Sequence, residues 1–140
     1  MTPRKRRLLL AAAVLLAVAG VAGRRGADVS AAPGKLFVLV VYESADLPKL
    51  PAGQVAVLTS TKVRKYLYEH CAIQDGQPAC RIFDVDDDLS RESADWQAMM
   101  KRPRQGLPWL TLAAGGRHYD GPLPESVDAM LTLLEKYGGK

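Results

Sequence analysis

Hydrophobic and polar positions along the chain divide into one unbroken apolar block near the start and a later region where short apolar runs alternate with helix-periodic ones. Leu36–Tyr42 (LFVLVVY) is a continuous β-branched and aromatic run, the pattern of a strand buried on both faces. Ser44–Gly53 carries two prolines and reads as a loop or one loose helical turn, and Gln54–Thr59 (QVAVLT) reads as a second short strand. The period then changes. Val63, Tyr66, Leu67 and His70 recur at i, i+3, i+4 and i+7, which predicts an amphipathic helix over Thr61–Cys71 with Ser60 or Thr61 as its N-cap.

Ala72–Ala79 reads as a loop, and Arg81–Val85 as a third strand running into the acidic stretch Asp84–Asp88. Trp96, Met99 and Met100 mark a short helix over Ser93–Lys101, and Trp109–Ala113 a fourth strand. Gly115-Gly116 predicts a tight hairpin into Arg117–Tyr119. A last helix, Glu125–Tyr137, has Val127, Met130, Leu131 and Leu134 as its core stripe and Gly138 at C′. Strands alternating with helices predict an α/β domain whose mixed sheet of four to five strands carries helices on both faces. The last two strands are too close for a helix between them and should pair antiparallel.

The apolar block from Leu8 to Gly23 follows Arg4, Lys5, Arg6 and Arg7 and contains small-residue cleavage candidates, Ala17-Val18-Ala19 and Gly20-Val21-Ala22. This is the anatomy of a secretory signal. Its sixteen residues fall short of the roughly 20 a membrane helix needs, yet Arg24 and Arg25 leave an uncleaved, N-in anchor as the alternative. Residues 1–23 are therefore expected to be a signal peptide or membrane anchor, 24–34 a flexible linker, and 35–140 the folded domain. The expected location is across the inner or plasma membrane, either secreted or periplasmic, or tethered through residues 8–23.

Charge changes little beyond that. Of 19 Lys and Arg, four lie in the basic start, so the rest of the chain balances 15 basic against 15 acidic residues. The pI of 9.2 belongs to the targeting segment, and the domain offers no electrostatic case for nucleic acid.

The order of elements resembles the thioredoxin-like fold over nearly all of residues 35–138, a three-layer sandwich. Gly106-Leu107-Pro108 stands before the fourth strand, where that family carries a cis-proline. Gly115-Gly116 supplies its glycine-rich turn, and Phe83-Asp84-Val85-Asp86 is similar to the acidic tail of its third strand. The family's Cys-x-x-Cys sits where a strand enters a helix N-terminus, whose dipole lowers the first thiol's pKa. With Gln54–Thr59 taken as that strand, the position reads Thr59-Ser60-Thr61-Lys62 and holds no sulfur. The resemblance then implies a groove between Thr59, Ser60, Thr61 and Leu107, Pro108, Trp109, able to take an extended peptide.

Each candidate has a plainer competitor. Thr59–Thr61 is explained by N-capping, and no base is near Ser60, because His70 lies over two turns along the same helix. Trp109 is either a groove anchor or a buried packing residue. Cys71 and Cys80, the only cysteines, read as a structural disulfide in an exported protein, with free thiols or a displaced redox pair as alternatives. Asp84, Asp86, Asp88 and Asp95 match positions 1, 3, 5 and 12 of a calcium loop, but Leu89 stands where the turn requires Gly. Lys101, Arg102 and Arg104 form a charged loop, either solvated or steering an anionic ligand. No metal or cofactor is expected. The expected function is a non-catalytic binding or scaffolding module for a protein or extended peptide; the rivals are a purely architectural domain and a thiol-redox or glutathione-linked enzyme using Cys71, Cys80 or Ser60.

Overall fold

The computed structural model describes residues 35–140. The expected signal or anchor (1–23) and linker (24–34) lie outside the described residues. Among the described residues, no helix is long and apolar enough to cross a membrane.

The central strand is β1 (Phe37–Tyr42), with five of its six side chains buried. It is followed by a 3-10 helix (Ser44–Lys49), α1 (Ala52–Thr59), α2 (Thr61–His70) and a two-stranded ribbon of β2 (Ile73–Gln74) and β3 (Gln77–Pro78). Then come β4 (Cys80–Asp84), α3 (Ala94–Met100), β5 (Trp109–Ala114), β6 (Arg117–Pro122) and α4 (Val127–Gly138). The main sheet has the order β4-β1-β5-β6. β4 runs parallel to β1, while β5 pairs antiparallel with β1 and β6 antiparallel with β5. The sheet is thus mixed and four-stranded, as the alternation of patterns predicts.

Because β1 is buried on both faces, its alternate residues seed two cores. Leu36, Val38 and Val40 join Leu110 and Leu112 under Val57 and Leu58 of α1, Val63, Tyr66 and Leu67 of α2, and Met130 and Leu134 of α4. Phe37, Leu39 and Val41 join Phe83 beneath Trp96 and Met99 of α3. Trp96 stacks on Phe37 with ring centroids 4.2 Å apart, an aromatic contact that anchors the short α3 to the sheet. Helices therefore cover both faces.

One expected element is wrong. Gln54–Thr59 is not a strand but most of α1. A six-residue apolar run fits either a buried strand or a buried helix segment. Here Gln54, Val57 and Leu58 are buried at i, i+3 and i+4, and α1 lies against the sheet and α4. Gly53 permits that approach: a Cβ on it would stand 1.7 Å from the Glu125 carbonyl oxygen.

Two smaller differences have local causes. The segment 72–79 closes as a hairpin at Asp75 (φ 52°) and Gly76 (φ 76°), the positive-φ pair of a two-residue turn. At the C-terminus, Gly139 (φ 83°) takes the left-handed position expected of Gly138. Gly138 remains helical and sits where a Cβ would press within 2.9 Å of Leu36 and Tyr66.

Candidate functional site

The residues nominated from sequence separate into two places. Leu107, Pro108 and Trp109 line a surface cleft of about 280 Å³ together with Gln54, Gln105, Gly106 and Pro122. Thr59, Ser60 and Thr61 are not among its lining residues. They form the junction of α1 and α2, since the strand that was to carry them to the cleft is a helix.

At that junction the Thr59 and Ser60 hydroxyls each have a local task. Ser60 Oγ accepts the Val63 N–H at 3.2 Å and caps α2, satisfying one of its unpaired first-turn donors. Thr59 Oγ1 donates back to the Val55 carbonyl at 3.0 Å. His70 is no base for Ser60: it ends α2, with Nδ1 2.9 Å from the Tyr66 carbonyl and its ring stacked on Tyr66.

The cleft is built by three segments. The Leu107-Pro108 peptide is cis, and Pro108 leads directly into β5. Trp109 pairs with Val41 on one side and Pro122 on the other, which sets the cleft at the end of β1 where the chain enters its helices. Opposite, Gln54 is 7% exposed and donates from Nε2 to the Leu123 carbonyl at 2.8 Å, tying α1 to the segment after β6. The Leu123 N–H in turn bonds the Pro108 carbonyl at 3.1 Å. The walls are therefore held by hydrogen bonds, while Leu107 at 39% exposure offers apolar surface to solvent.

Trp109 is a wall rather than an exposed anchor. It is 8% exposed, and Asp120 Oδ1 accepts its indole N–H at 2.5 Å and the Thr111 hydroxyl at 3.1 Å. Arg102 reaches the other oxygen of Asp120 at 3.4 Å. Arg104 spends its guanidinium on the Met99 and Met100 carbonyls at the end of α3, both at 2.8 Å. Burial lowers its pKa from the usual arginine value, with nearby Asp120 acting the other way. Two of the three loop cations are thus engaged structurally.

The acidic stretch folds on itself rather than into a calcium loop. Asp84 accepts the Ser44 N–H at 2.7 Å and the Asp86 N–H at 2.9 Å; Asp87 accepts the Asp84 N–H, and Asp88 the Ser90 N–H. The Ser44 hydroxyl and the Asp86 N–H hold the Asp84 carboxyl below its ordinary range, as does the Ser44 N–H. Glu43, which sequence spacing did not single out, brings a carboxylate oxygen within 4.8 Å of those of Asp84 and Asp86. These three are the group among the described residues best arranged to approach a cation, but the Asp84 oxygens are already committed to backbone and hydroxyl donors.

Cys71 and Cys80 are free thiols, so the disulfide expected between them is not formed in this structure. They are neighbours nonetheless. The hydrogen bond between the thiols, and then burial, pushes the Cys71 pKa strongly up. The same hydrogen bond lowers that of Cys80, with the Arg81 charge helping and burial opposing.

Comparison of the chain with known protein families, characterised proteins and solved structures finds no match.

Proposed function

We propose that residues 35–140 form a thioredoxin-like domain, exported or tethered outside a membrane, that binds an extended protein segment at the Leu107-Pro108-Trp109 cleft without redox catalysis. The observation carrying this reading is the strand order β4-β1-β5-β6 with Pro108 opening the cleft at the head of β5. A parallel β1–β4 crossover followed by the β5–β6 hairpin and a C-terminal helix is the arrangement the resemblance calls for. With α1 helical, the strand that enters helices beside the cleft is β1. The family's cysteine pair would then fall in Glu43–Lys49, which like Thr59–Lys62 contains no cysteine. The absence of a redox motif therefore survives the change of register. Export rests on the basic start and the apolar run Leu8–Gly23.

An apolar, preformed cleft walled by hydrogen-bonded backbone suits main-chain recognition of an extended segment, with Leu107 as the side-chain contact. Selection of binders from a random extended-peptide library, with wild type against Leu107→Glu, tests this. The expected result is at least a ten-fold loss, about 1.4 kcal/mol, for the variant. Equal affinity for both proteins sinks the cleft reading. Insulin reduction that disappears in Cys71→Ser or Cys80→Ser overturns the non-catalytic half of the proposal.

A further inference from the structure

Cys71 and Cys80 are brought together by tertiary structure rather than by the spacing that first paired them. Cys71 bridges Leu36 and Cys80 pairs with Val38, both in parallel sense. Leu36 and Val38 are two residues apart and share a face, so the two cysteines point into the same layer, near enough for their thiols to hydrogen-bond. They are not at disulfide distance as folded, so closing the bond requires the two thiols to move together. Between them the Asp75-Gly76 hairpin is pinched off at its root, where the Ala79 N–H bonds the Ala72 carbonyl at 2.7 Å and the Ala72 N–H bonds Leu36. Access is unequal: Cys71 is 3% exposed, while Cys80 is only part-buried.

We propose that Cys71 and Cys80 form a reversible redox staple at the root of the β2–β3 hairpin, with Cys80 as the entry thiol for a small-molecule disulfide such as oxidised glutathione. The Cys80 thiolate attacks one sulfur of glutathione disulfide, forming a mixed disulfide and expelling one glutathione thiolate. Cys71 gives up its proton and attacks the Cys80 sulfur, forming the intramolecular bond and expelling the second. Two protein thiols are oxidised, one glutathione disulfide is reduced to two glutathiones, and the two protons end on the released thiolates. The closed loop of eight intervening residues ties the end of α2 to the start of β4. Neither cysteine lines the cleft, so this site stands or falls separately from peptide binding.

The test is equilibration of the full chain in glutathione buffers from reducing to oxidising, read by intact mass and peptide mapping. Loss of two hydrogens from the native protein, reversed by reduced glutathione, is expected. Cys71→Ser should trap a glutathione adduct on Cys80, and Cys80→Ser should accumulate little adduct on Cys71. A brief alkylation of the reduced native protein provides a reading independent of the variants: Cys80 should react at least about ten-fold faster than Cys71. Retention of both thiols in every buffer overturns the staple, and faster labelling of Cys71 overturns the assignment of Cys80 as the entry point.

Discussion

Trp109 donates its indole N–H to Asp120 Oδ1 across the β5–β6 hairpin, from a position two register pairs removed from the Thr111–Asp120 pair. The same oxygen takes the Thr111 hydroxyl, so two side chains on one face of β5 are oriented by one carboxylate on β6. This arrangement fixes the Trp109 wall of the cleft.

Removing that acceptor should cost stability. Asp120→Ala leaves two nearly buried donors unpaired and is expected to destabilise the domain by about 1–3 kcal/mol. Asp120→Asn keeps an acceptor oxygen and should lose less. Urea unfolding followed by tryptophan fluorescence checks both, and equal midpoints for wild type and Asp120→Ala would contradict the assignment.

Gly53 sets the approach of α1 to the segment before α4. In an ordinary helix Gly→Ala is favourable by roughly 0.5–1 kcal/mol. Here the added methyl would collide with the Glu125 backbone, where little can yield. Gly53→Ala should instead destabilise by about 1–3 kcal/mol or more. A raised melting temperature in this variant would show that the α1–α4 contact is looser than the geometry requires.

Ser60 distinguishes capping from chemistry. Ser60→Ala removes the acceptor for the Val63 N–H and should cost about 1 kcal/mol, with Ser60→Gly costing only a few tenths. Peptide affinity should be unchanged in either variant, because Ser60 does not line the cleft. A selective loss of binding at unchanged stability would restore Thr59–Thr61 as site residues.

Asp84 predicts an acid-sensitive joint between β4 and the segment after β1. Its carboxyl is held low by the Ser44 hydroxyl, the Asp86 N–H and the Ser44 N–H, so the folded state favours the charged form. The resulting stabilisation is complete above the unfolded aspartate value of about 3.9 and is lost as pH falls through the lower folded value. Thermal melts of wild type and Asp84→Asn should diverge above that window and converge below it. Parallel curves throughout would remove Asp84 from the acid response.

The legible parts of the chain were those where one local signal had one meaning. Helical period at Val63, Tyr66 and Leu67 named α2, and residue type narrowed its cap to Ser60 or Thr61, of which the structure uses Ser60. Gly115-Gly116 named the β5–β6 turn, and both glycines carry positive φ, 54° and 82°. Asp75-Gly76 carried the same kind of signal for the β2–β3 hairpin, hidden because its strands are two residues long and unpatterned. Glu43 was invisible because its neighbours Asp84 and Asp86 are some forty residues away and arrive through the β1–β4 pairing.

By itself the sequence determined the alternation of strand and helix, the buried central strand, and the basic and apolar start. Those follow from side-chain periodicity and residue type, which act over a few residues. The tertiary structure decided the helical state of Gln54–Thr59, because burial against the sheet and α4 outweighs the strand preference of a short β-branched run. That one decision took Thr59–Thr61 out of the cleft lining and put Gln54 against Leu123, while the β5–β6 pairing made Trp109 a wall held by Asp120. Contacts between residues tens of positions apart depend on which surface each element covers, and no local pattern carries that information.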